Sequence, residues 1–193
     1  MIFTTSTPTL LETPRLYLRE LTPKLQRELF RTKTKQEIME YLGLRTEQEY
    51  KEAVWKYNKG MTTFYSKFKH FYLLDKSNGK IIGRCDYHTW VPSHKRAEVG
   101  YVISSEIHKS RGLMTEALEA VLQFGFTNMD LYRVEAMASP KNIPSLQLLQ
   151  HFGFQREGLL RNHYMVNSVL EDSVAFSLLK PEFEAWQQQH RTV

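Results

Sequence analysis

The chain has 193 residues, 41% hydrophobic and 24% charged, with a formal net charge of +5 and a single cysteine. That is globular composition, long enough for one domain with a real core. It lacks an apolar run of about 18 residues that could span a membrane, a signal-peptide pattern at Met1 to Leu11, and a partner with which Cys85 could form an internal disulfide. A reducing cytoplasm fits, and Cys85 reads as a small buried residue. The charge is too modest, and its Lys and Arg too scattered, to indicate nucleic-acid binding.

In chain order, Thr13 to Leu21 reads as a strand, with Leu16 and Leu18 alternating against Tyr17 and Arg19. Thr22-Pro23 opens a helix running to about Arg31. Thr46-Glu47-Gln48-Glu49 is a capping-box sequence, and the helix behind it carries Tyr50, Ala53, Val54 and Tyr57 on one stripe. Lys69 to Asp75, Lys80 to Val91 and Arg96 to Ser104 read as three successive strands joined by short turns, which predicts antiparallel pairing. Leu113 to Met129 is strongly amphipathic. Met114, Ala117, Leu118, Val121, Leu122, Gly125 and Phe126 share one face, and Glu116, Glu119, Gln123 and Thr127 are expected to face water. Leu131 to Ser139 is again a strand, Asn142 to Phe152 a short helix, and Asp172 to Leu179 a closing strand. No repeat or linker interrupts the series, so residues 1–193 read as one α+β domain. Its mixed sheet has antiparallel strands first, then a parallel β-α-β crossover, with helices flanking it.

The segment before the long helix is Lys109-Ser110-Arg111-Gly112-Leu113-Met114-Thr115. A strand that ends in a glycine-containing loop and opens a helix presents unpaired N–H groups to an anion, and Gly112 permits a tight turn. Alone the signal is weak. The phosphate-loop pattern GxxxxGK[ST] is absent. A dinucleotide site is not indicated either, because Gly112 stands alone although Glu135 is spaced like the acid such a site needs.

Ser110 to Leu118 resembles the acetyl-CoA loop of GNAT N-acetyltransferases. Lys109 takes the Gln/Arg position of the family motif and Met114 its final Gly/Ala position. Ala97-Glu98-Val99-Gly100-Tyr101, Asn142-Ile143-Pro144-Ser145 with Phe152-Gly153-Phe154, Arg156-Glu157-Gly158 and Glu171-Asp172-Ser173-Val174 are similar to the RimJ/RimL-like (ribosomal-protein-alanine acetyltransferase-like) branch. The resemblance implies direct attack of an amine on the acetyl thioester, without an acyl-enzyme and without metal. It implies pyrophosphate binding by Lys109, Ser110, Arg111, Gly112, Leu113, Met114 and Thr115, pantetheine along Val102 and Ile103 where the strands splay, and a contact from Asn142. Glu98 is the candidate general base, with Asp172 next; the alternative for Glu98 is a structural pair with a basic residue. Ser145 is the candidate partner of the departing thiolate, and it also falls in the cofactor set. Leu149 occupies the position where many family members carry a tyrosine. His88, His94, His151 and His163 lack metal-ligand spacing.

The acceptor is expected to be a primary amine, on a protein N-terminus or a small molecule, between the Thr22 to Met61 helices and the Leu159 to Leu170 segment. Tyr41, Tyr50, Trp55, Tyr57, Phe64 and Tyr65 either give that pocket a partly apolar character or belong to the core. A non-catalytic acyl-CoA-binding module of the same fold is the competing reading, and a homodimer is left open.

Overall fold

The computed structural model describes residues 8–60 and 67–190; Met61, Phe64 and Tyr65 lie outside them. The strands are β1 (Leu10–Glu12), β2 (Leu16–Leu21), β3 (Lys67–Asp75), β4 (Ile81–Val91), β5 (Arg96–Ile103), β6 (Arg133–Ala138), β7 (Gln155–Val166) and β8 (Val169–Leu179). They form one mixed sheet in the order β1-β2-β3-β4-β5-β6-β8-β7. Among the described residues there are six α-helices: α1 (Pro23–Thr32), α2 (Lys35–Leu42), α3 (Glu47–Lys59), α4 (Leu113–Asn128), α5 (Ile143–His151) and α6 (Lys180–His190). Contacts group the chain into two compact units, one up to Asp86 with Tyr101–Ala120, the other Tyr87–Gly100 with the chain from Val121 on.

In the first unit the expected opening strand starts only at Leu16, and an additional short strand, β1, precedes it. Thr13 donates its N–H to the Leu16 carbonyl at 3.0 Å and its hydroxyl oxygen accepts the Leu16 N–H at 3.1 Å, which folds residues 13–15 into a turn. β1 then pairs back on β2 antiparallel, Leu11 facing Leu18, and β2 pairs β3 antiparallel. Three helices follow, each started by a threonine side chain that satisfies an early N–H: Thr22 for Leu25, Thr34 for Glu37 and Thr46 for Glu49. The last two are reciprocal capping boxes. Helix α2 has no counterpart in the sequence reading; it ends at Gly43, whose φ of 66° is left-handed. Leu21, Leu29, Ile38 and Leu42 form the buried cluster beneath these helices, with Tyr41 and Tyr50 packed against it.

In the second unit, β5 and β6 are the parallel pair, with Ala97 opposite Val134 and Glu98 opposite Glu135. β6 is flanked on its other side by antiparallel β8. Tyr87 is fully buried and donates its hydroxyl to the Val121 carbonyl at 3.1 Å. A Cβ on Gly125 would collide with that phenol, so the helix approaches β4 only because this position is glycine. Phe126 and Phe183 pack at 5.2 Å, and Phe152 and Trp186 at 4.8 Å, which fixes α6 over the core. The Leu159 to Leu170 segment, left without structure in the sequence reading, belongs to the β7–β8 hairpin. Its turn residues Asn167 and Ser168 both have positive φ, the backbone of a tight hairpin turn. β7 ends the sheet and is exposed along nearly its whole length.

Candidate active site

The loop before α4 has the geometry of an anion cradle. Ser110 and Gly112 are both left-handed, with φ of 55° and 72°, so the chain turns twice around Arg111 before the helix begins. The first helical amide to reach a carbonyl is that of Glu116, on Gly112 at 3.1 Å. The N–H groups of Leu113, Met114 and Thr115 therefore precede the ladder, at the positive end of the helix dipole. Lys109, Ser110, Arg111 and Gly112 are exposed, whereas the Leu113 side chain is 5% exposed and belongs to the core, leaving only its backbone to a ligand. Lys109 is bound to Glu106 at 2.5 Å, an exposed pair of little energetic weight. Arg111 stays exposed, and its charge and that of His108 help hold the Asp75 carboxyl down, after the larger effect of hydrogen bonds from Ser77.

Glu116 corrects the expectation that it faces water. Its carboxylate accepts from the Thr13 hydroxyl at 2.5 Å, the Arg15 N–H at 2.7 Å and Arg15 Nε at 2.6 Å. Burial pushes this carboxyl up, but the Thr13 and Arg15 hydrogen bonds and the Arg15 charge outweigh it and hold it below the usual range. Arg15 also donates to the Arg111 carbonyl at 2.9 Å, so one guanidinium ties the loop and the first turn of α4 to the β1–β2 turn. Sequence reasoning missed Thr13 and Arg15. They lie about a hundred residues away, and no local pattern announces the contact.

Glu98 sits on β5 with its side chain 16% exposed, and Oε1 lies 3.2 Å from His88 Nε2. His88 sits on the neighbouring arm of the β4–β5 hairpin, equidistant with Glu98 from Ser93, a count that could have found it. The ring fits because Gly100 has no side chain: a Cβ there would stand 2.8 Å from His88 Cε1. Tyr164 on β7 feels the same carboxylate; burial first, then the Glu98 charge, raises its phenol above the ordinary range. Glu135, opposite Glu98 in the parallel register, is neutralised by Arg96 and Arg133, each at 2.9 Å. The register of β5 with β6 ends at Glu98–Glu135, while β5 runs on to Ile103. A Cβ on Gly83 would run into the Val102 carbonyl, so the strand backbone is turned toward that glycine.

Asn142 caps α5, accepting from the Ser145 N–H at 3.2 Å. Ser145 is half-buried on the same stripe as Leu149, which is fully buried and carries no proton to give. Asp172, the second candidate base, accepts from the Asn162 N–H at 2.8 Å.

Helices α1 and α3 and the segment Gly43 to Arg45 border a cavity of about 270 Å³ in the first unit. Tyr41, Tyr50, Trp55 and Tyr57 do not line it. Tyr57 stacks on Phe30 at 4.5 Å, Trp55 is 60% exposed, and Tyr72 is the aromatic residue in the lining. The wall is charged, with Arg45, Glu49, Glu52, Lys56 and Arg84, and it reaches β5 at Val102. Among the described residues no group of three His, Cys, Asp or Glu could hold a metal ion, and no helix is long and apolar enough to cross a membrane.

A profile for the acetyltransferase (GNAT) domain matches residues 15–155. Over 113 residues the chain is 37% identical to an uncharacterized N-acetyltransferase, p20, of Bacillus licheniformis, covering 58% of this chain and 63% of that protein. It is 30% identical to the uncharacterized N-acetyltransferase YoaA of Bacillus subtilis (strain 168), covering 89% of this chain and 97% of that one. The crystal structure of a GCN5-related N-acetyltransferase from Brucella melitensis is similar with a TM-score of 0.69 at 25% identity, over 98% of this chain and 89% of that one. Two more distant relatives come from Escherichia coli (strain K12). They are a ribosomal protein uS5-alanine N-acetyltransferase (29% identical, 67% of this chain and 68% of that one) and a spermidine N(1)-acetyltransferase (26%, 51% of each).

Proposed function

The chain belongs to the acetyltransferase (GNAT) domain family, and on that premise we propose that it acts as a single acetyltransferase domain. In this reading it transfers the acetyl group of acetyl-CoA to a primary amine by direct attack, in the cytoplasm. The observation that carries this is the loop at 109–115. Its paired left-handed turns leave the first amides of α4 outside the helical ladder, beside exposed Lys109 and Arg111. Such a cradle fits the pyrophosphate of a coenzyme A ester.

When bound, acetyl-CoA supplies an activated acyl carbon on a good leaving group. The residues of this chain do the rest. Backbone groups of Val102 and Ile103 align the pantetheine like an added strand, and the Asn142 amide, whose oxygen caps α5, reaches the same arm with its nitrogen. Glu98 takes the proton that the attacking nitrogen loses, with His88 holding the carboxylate at 3.2 Å. Ser145 steadies the thiolate. The demand on Glu98 depends on the acceptor: an α-amino group of pKa about 8 is already about one-tenth neutral at pH 7, a lysine amine near 10.4 only about one part in several thousand. A carboxylate with a single imidazole partner suits the former.

The test is a melting curve with acetyl-CoA, CoA, NADH or ATP, followed by coenzyme A release with a panel of amines. A ligand at about 100 times its dissociation constant adds about 2.7 kcal/mol, a shift of about 5–11 °C at this size. A shift with acetyl-CoA and CoA, then transfer to an amine, is the expected result. No shift, or an equal one with NADH, would sink the reading. Binding without transfer to any amine would leave an acyl-CoA-binding module.

A further inference from the structure

The β7–β8 hairpin outgrows the sheet it belongs to. The last pair of β6 with β8 is Ala138 with Val174, so β8 from Val169 to Ser173 runs beyond β6 with β7 alone beside it among the described residues. Burial changes at the same point: Ser173 and Val174 are buried, whereas Val169 and Leu170 are exposed. The base of this arm is fixed. The Asn162 N–H donates to the Asp172 carboxylate at 2.8 Å, and Lys141 pairs with Glu171 at 3.2 Å.

The arm is apolar on both sides. Paired residues of a ladder point to the same side, which puts Leu160, Tyr164, Val166 and Val169 on one face and Leu159, Met165 and Leu170 on the other. Their exposure runs from 39% at Leu160 to 64% at Met165. Together they leave roughly 600 Å² of apolar surface in water, the upper end for the largest patch of a monomer and close to the ~800 Å² per partner of a stable complex. From Tyr164 to Leu170 the sequence carries no Lys, Arg, Asp, Glu or Pro, the residues by which an exposed edge strand normally turns other strands away. A partner drawn by charge, such as a nucleic acid or an anionic membrane, would find nothing on this stretch to hold.

We propose that the partner of this arm is a second copy of the chain, and that the two meet arm against arm about a two-fold axis. In such a contact the same patch stands on both sides, so uncharged apolar surface meets its own kind with no like-charge repulsion. The bare edge of β7 also offers the N–H and carbonyl groups that the edge of its copy lacks. The available area is that of a dimer interface, and both faces of the arm find cover because each partner brings two. The inference stands whether or not the chain transfers an acyl group.

The experiment is sedimentation equilibrium of the full chain at micromolar concentration, for the wild type and for Met165→Lys, Val169→Lys and Trp55→Lys. The wild type is expected at twice the 22.8 kDa chain mass. Met165→Lys and Val169→Lys, one on each face of the arm, should each raise the dimer dissociation constant by about a hundredfold, because the two-fold axis brings every introduced charge into the contact twice. Met165 is 64% and Val169 59% exposed, so the single chain keeps its fold, which an unchanged circular dichroism spectrum checks. Trp55→Lys, at a 60% exposed position on α3, should leave the dimer intact. A wild-type chain that sediments at the single-chain mass would overturn the inference. So would a dimer that both arm variants leave intact, or one that Trp55→Lys dissolves as readily.

Discussion

Two carboxylates in this molecule are almost equally hidden, and they are held in opposite ways. The Glu116 side chain, at the start of α4, is 13% exposed, and that of Glu98, on β5, is 16% exposed. Glu116 accepts from a hydroxyl, a backbone N–H and a guanidinium, so its lone pairs are spent and its charge is balanced. Glu98 meets an imidazole, which is a cation only when protonated. Its neighbour across the parallel pair, Glu135, has taken both nearby arginines. Partnering, not burial, separates a clamp from a carboxylate with capacity left for chemistry.

The largest effect should come from the less encumbered of the two. Glu98→Gln is expected to slow transfer at pH 7 by about a hundredfold, in the range of a lost general base. Part of the rate should return as pH rises and more of the amine is already neutral. A pH–rate profile checks this, and a rate that does not recover would pass the role to Asp172.

Glu116→Gln should instead lower stability, by about 2–3 kcal/mol, the scale of losing charge-assisted bonds to a partly buried group. Because the folded state holds this carboxyl below its ordinary value, its contribution is full above the unfolded-state pKa of about 4.3. It fades as pH falls through the folded-state value. Urea denaturation at pH 7 and pH 4 should show the variant losing less on acidification than the wild type. Equal stability at pH 7 would break the comparison.

The smallest effect is assigned to His88→Gln, about three- to tenfold in kcat with the acceptor KM little changed, and an altered acid limb of the profile. An unaltered profile would mean that the strand alone positions Glu98.

Much of this was legible in the sequence. The long helix and the loop before it announce themselves through period and glycine placement, and Leu149 and Cys85 are buried as their settings indicate. Helix α2 had local signals of its own, a Thr34–Glu37 capping box and a terminal Gly43, although it is short and polar on most of its surface. β7 had almost none: it is exposed on both faces and its register on β8 slips twice, between Arg156 and Gly158 and between Leu160 and Tyr164, so no burial period marks it. The Arg15–Glu116 clamp joins residues that only the folded sheet brings together.

The single cysteine bears on how these measurements can be made. Cys85 is fully buried, and burial, aided by the Asp86 charge, lifts its thiol well above the normal range, so the folded chain presents almost no thiolate. A disulfide chromogen added during turnover will therefore count coenzyme A and ignore the protein. In denaturant the same reagent becomes a probe of unfolding, gaining one equivalent of colour as β4 opens.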